Sequence, residues 1–300
     1  MGTAELRSRV PLYAAIGTAV AAVAIVAAWL ALAPAGDHPP DDAERRELAD
    51  DACPRVTEAH FYVIDKAGKR SYLLGTRHAG VALAKYPPAV AAAWRAPTTT
   101  TAVFESNLDV PATAEPAASG PGVDVELGDD LWSHYRDLVG DDLAERVRTT
   151  SIGHATAVLA LLYEDTSQTV DAELFRDARA RKLAVVALED EEQTGHLAEH
   201  YLGATMLKTA LAQIPRRGVL ASETRRGLHA YCSDRAAPRD VLPGDAVTNQ
   251  RTRAWVAKLV PLLTAGGAFI AVGAEHVDVG SLALPDLLRA EGFRVEPLAP

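Results

Sequence analysis

Residues 60–78 read HFYVIDKAGKRSYLLGTRH, and residues 268–276 read AFIAVGAEH. In the first stretch His60–Asp65 and Ser71–Leu74 flank Lys66-Ala67-Gly68-Lys69. Two such runs around a short glycine-bearing turn predict a β-hairpin. The second stretch opens with the apolar run Ala268–Val272, which predicts a strand. Each stretch ends with a glycine followed three residues later by a histidine, Gly75 with His78 and Gly273 with His276. A glycine there lets the chain turn sharply and pass close to a ligand, and the histidine then projects over the sheet edge.

Further strands are expected at Thr101–Phe104, Leu183–Leu188 and Arg294–Leu298. Helical patterns lie between them. Leu127–Tyr163 reads as two or three helices, and Ala172–Lys182, Glu191–Gln213, Ser222–Tyr231, Asp245–Thr264 and Ser281–Glu291 as one each. Asn107–Glu126, rich in Pro, Ala and Asp, reads as a long loop. Strands alternating with helices predict an α/β fold. Its expected form is a central mixed, largely parallel sheet with an N-terminal β-hairpin, flanked by helices.

The chain has 300 residues, 48% of them hydrophobic and 23% charged, so it can bury a large core without disulfides. Its net charge of −10 repels phosphate backbones and argues against nucleic acid as a partner. Arg216–Arg217 and Arg225–Arg226 are short pairs that read as solvated helix surface. Cys53 and Cys232 sit in no C-x-x-C pair. Whether they join as one disulfide is open at the level of sequence.

No charge falls between Arg9 and Asp37, and Val10–Leu32 is an apolar run of membrane-spanning length. Arg7 and Arg9 before it, and Asp37, Asp41, Asp42 and Glu44 after it, favour the N-terminus inside and the domain outside. The expected organisation is a cytoplasmic N-terminus over 1–9 and one transmembrane anchor or uncleaved signal over 10–34. A linker or short solvated helix over 35–52 and a folded domain over 53–300 follow. A cleaved signal peptide, leaving a secreted or periplasmic protein, is the competing reading, because small residues stand at Ala31, Ala33 and Ala35.

Four strands end in a group that can do chemistry. They deliver His78, Glu105, Glu189 and His276. In open α/β sheets, ligands gather outside the carboxyl ends of strands. Two imidazoles and two carboxylates gathered there would suit a divalent metal or an acid/base set. Taken singly, each reads as well as a helix cap or a surface group, and Glu189 opens an acidic run that suits a helix start. His196-Leu197-Ala198-Glu199-His200 fits the H-x-x-E-H pattern, whose plainer reading is a polar helix face. No nucleophile elbow, phosphate loop or G-x-G-x-x-G fingerprint is present.

Phe61–Asp109 resembles the opening of the TraB/GumN family, which is related to the Tiki metalloproteases. The likeness rests on Gly75-Thr76-Arg77-His78, the Pro87-Pro88 helix start and the strand ending Phe104-Glu105. Val170-Asp171-Ala172-Glu173-Leu174, Leu188-Glu189 and Gln193 resemble the middle block, and Arg251-Thr252-Arg253-Ala254-Trp255 resembles its Arg-Asn-x-x-Trp helix. Gly273–His276 with Leu287–Val295 resembles its close. Thr252 stands where the family usually has Asn, and Asp190 where it usually has Thr.

The resemblance implies a metal-dependent hydrolase, expected to be a peptidase acting outside the cytoplasm. His78, His276 and Glu105 would hold a divalent ion (Mn, Co or Zn). Glu105, Glu189 and Arg251 would be the catalytic candidates, with Arg251 facing a developing oxyanion. The expected partners are a peptide or small-molecule substrate and the membrane, reached through the N-terminal helix. A binding module that sequesters a small peptide or signal without cleaving it is the alternative.

Overall fold

The computed structural model describes residues 38–108, 121–167, 169–190, 202–233, 246–279 and 282–298. Six strands form one mixed sheet: β1 Phe61–Lys66, β2 Lys69–Thr76, β3 Thr101–Phe104, β4 Ala184–Ala187, β5 Ala268–Gly273 and β6 Arg294–Pro297. Their order is β4-β3-β5-β2-β1-β6. β2, β5, β3 and β4 pair in parallel, whereas β1 pairs antiparallel with both β2 and β6. The β1–β2 turn holds Ala67 and Gly68, both at positive φ (50° and 76°). That conformation matches the twist of a two-residue hairpin loop.

The described helices are α1 Asp42–Ala52, α2 Pro88–Arg95, α3 Val123–Leu127, α4 Asp129–Val139, α5 Asp141–Val147 and α6 Ile152–Ala160. They continue as α7 Val170–Arg181, α8 Ala204–Gln213, α9 Arg217–Ser233, α10 Ala246–Ala265 and α11 Leu284–Ala290. Side chains alternate across the sheet and build two cores. Leu74, Ala102, Phe104, Phe269 and Ala271 pack toward the larger helical layer with Leu138, Leu174 and Leu207. Leu73, Val103, Ile270 and Val272 pack on the other face against Trp255, Leu259, Leu284 and Leu288 of α10 and α11. Covering both faces explains why every residue of β5 is buried.

Residues 42–52, expected as linker or short solvated helix, form α1, which buries Leu48, Ala49 and Ala52 in the larger core. Asp41 caps it: its carboxylate accepts from the amides of Ala43 and Glu44, while Glu44 accepts from the Asp41 amide. This reciprocal box satisfies amides that a helix start otherwise leaves open. Just past α1, Cys53 is bonded to Cys232 near the end of α9, with Cα atoms 5.7 Å apart across a separation of 179 residues. Closing so long a loop restricts the unfolded chain by about 5 kcal/mol on the chain-entropy argument.

The expectation of a preceding transmembrane helix is corrected. Residues 10–34 lie outside the described residues, and no described helix is long and apolar enough to cross a membrane. The fold is an α/β fold with a mixed sheet and helices, with no membrane-spanning helix among the described residues. Membrane anchoring and single-pass topology likewise have no spanning helix among the described residues behind them.

Candidate metal centre

The parallel strands bring their carboxyl ends to one edge, and β2, β3 and β5 each deliver a group there. Past β2, Thr76, Arg77 and His78 follow. Arg77 turns inward and makes a two-pronged pair with Glu164, at 2.6 and 2.7 Å, both side chains being buried. His78 turns outward, with 45% of its side chain exposed. Asp171, in the first turn of α7, accepts from the Thr76 hydroxyl at 2.8 Å and from His78 Nδ1 at 3.1 Å. That contact orients the ring so that Nε2 lies 3.8 Å from Glu105 Oε1.

Glu105 follows β3 directly. The Gly273 amide donates to its Oε1 at 2.5 Å, and Arg251 Nη2 donates to its Oε2 at 2.8 Å. Arg251, from α10, also grips Glu189 through Nε at 2.6 Å and Nη2 at 3.1 Å. The Trp255 indole donates to the same Glu189 carboxylate at 3.0 Å. Glu189 and Arg251 thus satisfy one another beside Glu105.

β5 leads into a π-helical turn, Glu275–Val279. One residue separates two fates. Glu275 faces Glu105 and His78, so His78, Glu105 and Glu275 offer ligand atoms all within 4.8 Å of one another. His276 is fully buried, its ring centroid 4.2 Å from that of Trp255. Thr252 donates its hydroxyl proton to the Thr248 carbonyl and therefore accepts from His276 Nδ1, at 2.7 Å. His276 Nε2 lies 3.8 Å from Glu275 Oε1. Of the expected ligands, His78 and Glu105 lie in the three-residue cluster, and His276 stands beside it. Glu275 belongs to the second G-x-x-H motif and Asp171 to the middle block, where spacing alone gives neither a role. The signal for both was present in those motifs. The His196–His200 motif lies outside the described residues.

The two glycines have a different job from the one their positions suggest. Neither Gly75 nor Gly273 adopts a positive φ. A Cβ on Gly273 would sit 2.5 Å from both Glu275 carboxylate oxygens, and one on Gly75 would sit 2.8 Å from the His60 Cβ. Space rather than backbone freedom is what they supply.

Electrostatics follow from the crowding. Partial loss of water around the ring pulls the His78 imidazole down, but the Asp171 hydrogen bond and the charges of Asp171, Glu105 and Glu275 outweigh it, and its pKa rises to about 10. Burial pushes Glu105 up, but His276, His78, Arg251 and the Gly273 amide bring it down to about 2. Burial and the Glu105 charge push Glu275 up to about 7. Burial lowers the Arg251 pKa, and its carboxylate partners more than restore it. One imidazole nitrogen and two carboxylates at this spacing could hold a divalent cation. Positive charge there would relieve the repulsion between the two carboxylates.

The model of the TraB/PrgY/gumN family matches residues 60–297. This chain belongs to that family. The matched span opens at His60, just before β1, and closes at the end of β6, so it takes in every strand of the sheet and all three clustered residues of this TraB/PrgY/gumN protein. No curated protein and no solved structure matches the chain.

Proposed function

We propose that this protein is a divalent-cation-binding protein whose cleft holds a small peptide or similar ligand at the bound ion without cleaving it. The convergence of His78, Glu105 and Glu275 at the carboxyl edge of the parallel strands carries this reading. His78 would offer Nε2, with Asp171 on Nδ1 fixing its tautomer and orientation. Glu105, steadied by the Gly273 amide and Arg251, would offer one carboxylate, and Glu275 the other. When bound, such an ion supplies a Lewis-acidic centre that attracts a carbonyl or carboxylate oxygen. The half-exposed His78 side chain keeps the centre reachable from solvent. Non-cleaving binding is favoured because Glu189 and Arg251 are engaged with each other, which makes them supports for Glu105.

One observation favours metal-dependent peptide hydrolysis as the second reading. Glu275 is an acid beyond the expected ligand set, lying among His78, Glu105 and His276. There it would take a proton from an attacking water and pass it to the leaving amine.

The test pairs elemental analysis and Mn²⁺, Co²⁺ and Zn²⁺ titrations of the purified chain with long incubation of the loaded protein with a peptide mixture. Bound ion that is lost in His78→Ala, together with peptides recovered intact, is the expected result. Cleaved peptides would replace the binding reading with the hydrolytic one. No ion uptake would remove both.

A further inference from the structure

Behind the cluster lies a second buried assembly. His60 Nδ1 donates to Asp278 Oδ2 at 2.8 Å, and the Tyr62 hydroxyl donates to Asp278 Oδ1. All three side chains are buried, at 1%, 6% and 5% exposure. Asp278 belongs to the same π-helical turn as Glu275, three residues further on. Because β1 runs antiparallel to β2, with Phe61 opposite Leu74, the start of β1 lies at the carboxyl edge where the cluster sits.

The assembly touches both ligand-bearing arms. The Gly75 amide donates to the His60 carbonyl at 2.7 Å. A Cβ on Gly75 would meet His60 Cβ at 2.8 Å, Ala274 Cα at 3.1 Å and Val277 Cβ at 3.2 Å. The arm leading to His78 and the turn carrying Glu275 therefore close on one point, with His60 against it. His60 Nε2 is buried and has no hydrogen-bond partner among the described residues. An apolar ring would fill the same space without stranding a polar atom, so packing alone gives no reason for an imidazole here.

We propose that His60, Tyr62 and Asp278 form a buried clamp that positions the Glu275 carboxylate against His78 and Glu105, and so sets the pocket's affinity for a divalent cation. The clamp rests on the cation-binding reading of that pocket. A π turn is held by few internal bonds and occurs chiefly as single turns at functional sites. Tying its fourth residue to β1 stops it from relaxing to another helical register, which would swing Glu275 away from the other two ligands. His60, Tyr62 and Asp278 are positioning residues that act through Glu275.

The full-length chain would be titrated with Mn²⁺ alone, well below its melting temperature, as wild type and as Asp278→Asn, Tyr62→Phe, His60→Leu and His60→Gln. The melting temperature of each metal-free protein would be measured in parallel. Asp278→Asn is expected to weaken Mn²⁺ binding about ten- to a hundredfold, as supporting shells around metal ligands do. His60→Gln, which keeps a donor for Asp278, should recover affinity lost in His60→Leu. If Asp278→Asn does not fold, Tyr62→Phe, which removes only a hydroxyl, carries the test with a smaller loss of affinity. Variants that melt lower yet bind Mn²⁺ as tightly as wild type would overturn the clamp and leave the cation site standing. A wild type that takes up no Mn²⁺, and no Co²⁺ or Zn²⁺ either, would overturn the cation reading itself and the clamp with it.

Discussion

The two G-x-x-H arms share one spacing and end in opposite arrangements. After β2 the chain stays open, Arg77 dives into the core, and His78 emerges half-exposed beside Asp171. After β5 the chain winds into a π turn, which sends the histidine inward against Trp255 and Thr252 and presents the preceding glutamate instead. Adjacent residues point about 100° apart on an α-helix and somewhat less on a wider π turn. A shift of one position therefore exchanges a buried imidazole for a carboxylate in the pocket. A motif's spacing says that a group arrives at the sheet edge, and the backbone that follows decides which group it is.

The comparison breaks most severely if the first arm's anchor is removed. Arg77 is 2% exposed, so Glu164→Gln leaves a guanidinium charge buried without its counter-charge. The expected loss is about 3–5 kcal/mol of folding stability, read by denaturant unfolding. An unchanged midpoint would mean that the inward turn of Arg77 does not hold this arm in place.

The second arm is sharpened by treating its neighbours as rivals. Glu275→Gln should weaken Mn²⁺ binding by about a hundredfold, and His276→Gln by about tenfold or less. The reverse order would make the histidine the ligand and the glutamate its support, as the repeated motif alone suggests.

The mildest probe is pH. With pKa values of about 10 for His78 and about 7 for Glu275, both arms carry a proton in the metal-free pocket at mildly acidic pH. A cation must displace both, so affinity rises with pH. The slope should be about two logarithmic units per pH unit below pH 7 and about one between pH 7 and 10. Calorimetry in buffers of different ionisation heat would count the protons released, and a pH-independent affinity would separate the cation from both groups.

Much of this architecture is legible in the residues. The apolar runs place the strands to within a residue or two, with Thr101–Phe104 recovered as expected and Ala268–Val272 lengthened by Gly273. Continuous hydrophobicity marks both β5, which is buried throughout, and β4, which is an edge strand with no fully buried residue, so it locates a strand without giving its cover; the hairpin is marked by its Ala-Gly turn. Arrival of His78 and Glu105 at one edge follows from strand direction. The π turn was not legible, because five residues of Glu-His-Val-Asp-Val carry no periodic signal that separates it from a helix start. The supporting contacts were hidden too. Asp171 to His78 spans 93 residues and His60 to Asp278 spans 218, and no local pattern records a partner so far away. Whether Cys53 meets Cys232 was undecidable for the same reason.

β5 occupies the middle of the sheet between β3 and β2, yet it is the fifth of the six strands to leave the ribosome. Until residues 268–273 emerge, β2 and β3 each present an unpaired edge, and no strand pairing joins the two halves of the sheet. A nascent chain must wait through most of its synthesis with those edges open, in the kind of state that invites wrong pairing. The insertion of one late strand zips the sheet shut and, in the same act, delivers Glu275 to the pocket.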